Sequence, residues 1–220
     1  MIEPPRIRGG AVARGLSLVV GLFLFAFGIV LQLQSELGLS PWDVLSQGIS
    51  DRTSISFGTA NIVIAVVVLA VAWALGARIG IGTVANAVLI GLFVDWLLSL
   101  GAIDSLTGHG LGVRITLLVA GIAIIALGSG FYLGAALGAG PRDSLMIVGA
   151  RRTGTRIGVT RAVIEIGVAA VGFALGGTVG IGTLAFAFGI GPAVEIAFGL
   201  LLWLGLAVPS TPRHQYDRAS

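Results

Sequence analysis

The chain repeats itself. Slid along its own length by 100 residues it matches without a gap: Leu37-Gly-Leu-Ser-Pro-Trp-Asp-Val-Leu45 falls on Leu137-Gly-Ala-Gly-Pro-Arg-Asp-Ser-Leu145, and Gly80-Ile-Gly-Thr83 on Gly180-Ile-Gly-Thr183. From Arg14/Arg114 to Asp95/Glu195, 32 of 82 aligned pairs are identical, against roughly one in ten expected from composition. The fold must therefore be built from two copies of one unit.

The solvent of that unit is lipid. Mean hydropathy is +1.03, with 56% hydrophobic and 10% charged residues, far from the make-up of a soluble domain. Several runs exceed the roughly 18 apolar residues a helix needs to cross a bilayer, and strict apolar/polar alternation is absent. Each copy reads as a spanning helix (about 16–35 and 115–137), a polar Pro-containing segment, a second helix (about 59–76 and 159–176) and a third (about 83–100 and 183–207). The expected organisation is a cytoplasmic segment over 1–13, one three-helix repeat over 14–100, a second over 114–207 and a cytoplasmic tail over 208–220. The apolar run after Arg6, Arg8 and Arg14 is long for a signal peptide and lacks a clear cleavage site, so it reads as a retained first helix.

Arginine sets the orientation. All 13 basic residues are Arg, and their place in short connections is a topology signal rather than a nucleic-acid footprint. Arg142, Arg151, Arg156 and Arg161 face Trp42, Asp51, Ser56 and Asn61 across the repeat, and Arg78 faces Thr178. If the copies are inverted, all five unmatched arginines fall on one side. The Pro segments carry only seven uncharged residues between Asp43 and Asp51, or Asp143 and Arg151, roughly 10 Å of helix and too short to cross. Six transmembrane helices as a 3+3 inverted-topology repeat follow, with both ends cytoplasmic and a short Pro-initiated helix in each half.

Leu39-Ser-Pro-Trp-Asp-Val-Leu45, Ser56-Phe-Gly-Thr59 and Gly80-Ile-Gly-Thr-Val-Ala-Asn86 leading to Asp95 give the chain, over nearly its whole length, a resemblance to the YczE/YyaS/YitT group of bacterial multi-pass membrane proteins. The resemblance implies a bacterial inner-membrane location and a helical architecture, and no reaction.

Candidate site residues come from the residues themselves. Ser40 can cap, Pro41 takes the first helical position and Asp43 the third, and Gly140, Pro141 and Asp143 repeat this with a poorer cap. The segments suit either surface helices or re-entrant half-helices lining a path. Asp95 and Glu195 fall at equivalent depth in the third helices, where a carboxylate costs roughly 2.5 kcal/mol or more unless it faces a polar interior. They suit two gates of one path, or pairing with Arg78, Arg114 or a Thr. Glu165 sits one turn from Arg161, as a local ion pair would. Asn86 is placed for an interhelical hydrogen bond, and Gln32 and Gln34 for the interface. Gly130, Gly134 and Gly138, and Gly172, Gly176 and Gly180, recur at four-residue spacing, which predicts close helix packing, including between the two repeat copies.

Other classes find little support. There is no cysteine or lysine, no metal or cofactor motif, and no complete nucleotide loop. His109 and His214 have no metal or triad spacing, and inversion would place Asp43 and Asp143 on opposite faces, unable to share one active site. The expectation is a non-enzymatic small-solute permease or exporter, with lipid and an unknown solute or ion as partners and no nucleic acid. The alternative is an accessory or substrate-binding subunit or scaffold, as a homodimer or beside another membrane component.

Overall fold

The computed structural model describes residues 4–101 and 110–210, so His109 and His214 lie outside the described residues. Eight helices follow a two-residue strand: β1 (Arg6–Ile7), α1 (Ala11–Ser35), α2 (Pro41–Arg52), α3 (Phe57–Ala74), α4 (Ile81–Ser99), α5 (Leu111–Gly134), α6 (Pro141–Thr153), α7 (Ile157–Ala174), α8 (Ile181–Trp203) and β2 (Ala207–Val208). Six of them, all but α2 and α6, are long and apolar enough to cross a membrane. At 12 and 13 residues, α2 and α6 reach about 18 to 20 Å, well short of the hydrocarbon thickness.

Local chemistry repeats in the two copies. α4 and α8 each begin at a glycine whose N–H donates to the Thr three residues on, Gly80 to Thr83 Oγ1 at 3.1 Å and Gly180 to Thr183 Oγ1 at 3.2 Å. α8 stops at Trp203 rather than near residue 207, because Ala207 and Val208 pair antiparallel with Ile7 and Arg6. That pairing, too short to register as a strand pattern, ties both ends of the described chain to one end of the bundle.

The copies meet along α1 and α5, which cross antiparallel. A Cβ added at Gly21 would lie 2.6 Å from Tyr132 N and 2.7 Å from Gly128 O; one at Gly121 would lie 2.9 Å from Gly28 O. Only glycine lets the two backbones approach this closely. Gly21 pairs with Gly128 and Gly28 with Gly121, so each contact reappears when 100 is added to one partner and taken from the other.

The same exchange rule governs the helix ends. Arg14 donates to Ala135 O and Ala136 O (2.6 and 2.7 Å), and Arg114 to Ser35 O and Glu36 O (2.8 and 2.7 Å). Arg52 donates to Leu175 O at 2.7 Å, and Arg152 to Leu75 O at 3.2 Å. Four arginines thus cap the carbonyl ends of helices in the opposite copy, each a cation at a negative helix terminus contributing about 1 kcal/mol. Gly82 N donates to Leu137 O and Gly182 N to Leu37 O, completing the reciprocal set.

Two main apolar cores result among the described residues, beside a small cluster of Ile7, Leu201 and Ala207. One is built mainly on α1, α4, α5 and α8 around Leu22, Ile29, Ile90, Ile125 and Ile190. The other joins α2, α3, α6 and α7 through Trp42, Ile64, Val68 and Met146.

The glycine expectation holds for Gly130 and Gly172, which pack on helices, and needs correction for the rest. Gly130 packs on Ala197 and Leu201 of α8, and Gly134 on Pro5 and Ile7. Gly138, Gly176 and Gly180 lie beyond the helix ends, Gly138 (φ +133°) against Thr83 and Gly180 against Leu37. Gly172 does pack on a helix, α2 at Val44 and Leu45. The four-residue spacing therefore does not mark one helix face; the glycines of the α1–α5 crossing are seven apart.

Candidate functional site

The site forms where α2 and α6 point their N-termini into the bundle. Ser40 closes α2 as a cap: its Oγ accepts from Asp43 N at 3.4 Å and donates to Asp43 Oδ2. Pro41 and Pro141 take the first helical positions, and Gly140 supplies no cap side chain. The first turn of α2 is buried, Asp43 to 1% exposure, and that of α6 is buried at Pro141 and Ser144 and half-buried at Arg142 and Asp143, while Asp51, Arg52 and Arg151 at the far ends are exposed. Neither helix lies on the surface of the bundle.

Asp43 is the centre of this cluster. Asn61 Nδ2 of α3 donates to its Oδ1 at 3.3 Å and to Ser46 Oγ at 3.4 Å. Arg142 of α6 brings Nη2 to 3.6 Å from the same Oδ1, with its guanidinium 5.3 Å from the centre of the Trp42 ring. A buried carboxylate is tolerated only when paired and hydrogen-bonded, and both conditions hold here. Asp143, beside Arg142, accepts from Tyr132 Oη at 2.8 Å. The expectation that Asp43 and Asp143 stand on opposite faces is thus corrected. Both short helices enter N-terminus first, so the residue before Asp143 reaches Asp43.

The repeat explains who sits where. Asn61, the partner of Asp43, has Arg161 as its counterpart. Arg161 Nε pairs with Glu165 at 2.9 Å, as its spacing predicts. Arg142 thus pairs with Asp43 and Arg161 with Glu165, while Asp143 is held by the Tyr132 hydroxyl. Asn86 lies against Gly140, its amide 3.3 to 3.4 Å from where a Cβ at that glycine would stand, and it has no hydrogen bond among the described residues.

The two deep acids behave differently. Asp95 takes the N-terminus of α3, accepting from Gly58 N at 2.8 Å and from Ser56 Oγ, with Thr59 Oγ1 at 3.5 Å. Here Gly58 and Gly91 are in backbone contact, an added Cβ falling 2.1 and 2.3 Å from the opposite carbonyl. Glu195 is exposed and has no partner among the described residues. Gly158 and Gly191, counterparts of Gly58 and Gly91, meet nothing within 4 Å. α3 lies along α4, whereas α7 and α8 barely touch. One copy has its second and third helices latched and the other has them parted.

Two cavities lie beside the short helices, neither of them lined by Asp43, Arg142 or Asp143. One of about 430 Å³ is lined by Gly76, Arg78, Ala139, Ser144, Ile147 and Arg151. The other, about 240 Å³, is lined by Gln32, Glu36, Gly38, Leu39, Gln47 and Thr178. Ala139, Ile147 and Arg78 are the repeat counterparts of Leu39, Gln47 and Thr178, so these are equivalent openings with different chemistry. Gln32 is not interfacial as expected but fully buried. Sequence reading also missed Arg142 as an inward partner, Tyr132, and the four capping arginines. For the last, Arg14/Arg114 and Arg52/Arg152 being identical in both copies was an available signal.

A family model described as a family of unknown function, DUF6198, matches residues 12–198. An uncharacterized protein of Haemophilus influenzae is 36% identical over 187 residues, covering 83% of this chain and 84% of its own. The uncharacterized membrane protein YczE of Bacillus subtilis is 33% identical over 181 residues (79% and 80%), and the uncharacterized protein YyaS of the same organism 26% over 168 (75% and 82%). No solved structure matches.

Proposed function

The chain belongs to the DUF6198 family of multi-pass membrane proteins, a membership that carries no activity, and we propose from its own geometry that it is a small-solute permease or exporter. Its path runs along the interface of two copies inserted in opposite orientations. One observation carries this reading: two half-helices, one from each copy, meet N-terminus inward at a buried charged cluster. Half-helices of this kind line the substrate and ion sites of inverted-repeat transporters, where irregular backbone is tolerated because it borders a cavity.

The reciprocal α1–α5 crossing supports a pseudo-two-fold axis in the membrane plane. The paired β1 and β2 keep both ends on one side, and Arg78, Arg151 and Arg156 make that side cytoplasmic by the positive-inside rule. The difference between the latched α3–α4 pair and the parted α7–α8 pair is what alternating access asks of two equivalent halves, each taking in turn the state of the other. Asp95 acts as the latch that holds one gate closed, and Glu195 as its counterpart. With Asp143 held by a hydroxyl and no guanidinium, the cluster suits a cation or a proton as coupling ion.

A second reading has one observation in its favour. α7 buries only Gly172, leaving most of its surface to lipid or to another membrane subunit, as an accessory component would.

The test is flux through the purified protein. Liposomes containing it are loaded with a mixture of small metabolites under an imposed proton or sodium gradient, and the loss of each is followed by mass spectrometry. Protein-dependent loss of at least one is expected, abolished by Asp43→Asn, which keeps the cap but removes the charge. Retention of every solute under both gradients would contradict the permease reading in favour of the accessory one.

A further inference from the structure

We infer that Arg156 is the gating partner of Glu195: when the α7–α8 pair closes, the two side chains form an ion pair in the place that Ser56 and Asp95 hold in the first copy. This deepens the permease reading and rests on it only for the claim that closure serves transport.

The starting point is a set of unfinished groups on α7 and α8. Glu195 lies inside α8 and is exposed, with no hydrogen bond or ion pair among the described residues. A carboxylate within a spanning helix is costly unless something meets its charge. Arg156 is exposed and equally without a side-chain partner among the described residues. It stands at the cap position of α7 and makes no side-chain cap bond there. A guanidinium can only donate, whereas the free N–H groups of a helix start need an acceptor. The remaining charges of this helix pair, Arg161 and Glu165, hold each other at 2.9 Å, which leaves Arg156 and Glu195 as the unmatched cation and anion.

The first copy shows how such groups are joined. Asp95 accepts from Gly58 N at 2.8 Å through Oδ1 and from Ser56 Oγ through Oδ2, with Thr59 Oγ1 at 3.5 Å. One carboxylate thereby finishes the start of α3 and ties it to α4. Adding 100 to each residue gives Glu195, Gly158, Arg156 and Val159. Gly158 keeps the backbone donor. The two hydroxyls have become a cation and an apolar side chain, and the acid has gained a methylene. These changes fit one another: with one carboxylate oxygen on Gly158 N, the other is free for the Arg156 guanidinium, and the longer acid reaches the longer partner. A gate latched by hydroxyls in one copy becomes a gate latched by opposite charges in the other, the stronger kind of bond.

Spin-label distances test this. Val63 and Trp96 on the latched pair, and their counterparts Val163 and Ile196 on the parted pair, are all exposed. Each pair is replaced by cysteine in a chain that has none of its own, and distances are measured on the full-length protein in nanodiscs. Val63→Cys with Trp96→Cys is expected to give one distance. Val163→Cys with Ile196→Cys is expected to give two, a longer one for the parted arrangement and a shorter one matching the first copy. Glu195→Gln and Arg156→Gln change exposed side chains and should fold normally, and each should lower the shorter population about tenfold or more. Arg156→Glu combined with Glu195→Arg should restore most of it. No shorter distance in the second copy, a shorter population undiminished by either Gln variant, or no recovery in the exchanged chain overturns the proposal. Two distances governed by this pair in a protein that moves no solute in liposomes would leave the ion pair standing and count against the permease reading; solute flux with no shorter distance would do the reverse.

Discussion

Replacing Arg142 by Met is expected to destabilise the folded protein by about 3 kcal/mol, the low end of the range for removing one member of a buried ion pair. The low end applies because Arg142 keeps 21% of its side chain exposed, while Asp43 keeps 2%. The cost comes from what remains. Without Arg142 the Asp43 carboxylate is left with Ser40 and Asn61, neither of which carries a charge. Asp43→Asn should cost clearly less, since Asn still caps α2 and the surviving guanidinium retains Trp42 and some solvent. The double substitution should recover most of the loss of Arg142→Met, because the unpaired buried charge is gone. Reversible unfolding in bicelles measures all three. Arg142→Met no more costly than Asp43→Asn would mean that the pair is not what compensates Asp43.

Gly21→Leu should prevent folding, whereas Gly158→Leu should fold and stop transport. At Gly21 an added Cβ lies 2.6 Å from a backbone nitrogen of the facing helix, well inside the 3.5 to 4 Å of ordinary carbon contacts. No rotamer relieves a clash with backbone, so the helices must part along the crossing that joins the copies. The loss should exceed the 1 to 3 kcal/mol typical of overpacking. Gly158 meets nothing within 4 Å, so a side chain is accommodated and stability should change by no more than about 0.5 kcal/mol. If the α7–α8 pair must close as the α3–α4 pair does, that side chain stands where Gly58 meets Gly91 in the other copy. Monodisperse yield and flux per folded molecule separate the two effects. Full transport by a folded Gly158→Leu protein would show that the parted pair never closes.

Much of this architecture was legible because its causes are local or periodic. Six apolar runs give the six long helices, and the Ser40-Pro41-x-Asp43 start gives α2 its boundary within a residue. The spacing of Arg161 and Glu165 gives their ion pair. What was hidden depends on how distant segments cross. A polar residue near the end of an apolar helix reads as interfacial, yet Gln32 is buried because α5 packs over it at Gly121. Four-residue spacing picks out Gly130, Gly134 and Gly138 within one helix, but an antiparallel crossing is written in two helices at once, at Gly21 and Gly28 and again at Gly121 and Gly128. Arg142 looks like one more positive-inside residue until both short helices are seen to enter N-terminus first. The latch made by Asp95 was equally out of reach, since its partners are backbone and hydroxyl groups 36 to 39 residues away.

Everything proposed for the path depends on the two copies crossing the membrane in opposite senses. Single cysteines at Ser54, after α2, and at Gly154, after α6, occupy equivalent places in the repeat, in a chain with no cysteine of its own. In intact cells treated with a membrane-impermeant maleimide, the cysteine at position 54 should label directly, and the one at position 154 only after the membrane is opened. Labelling of both from the same side would make the copies parallel and remove the two-fold path.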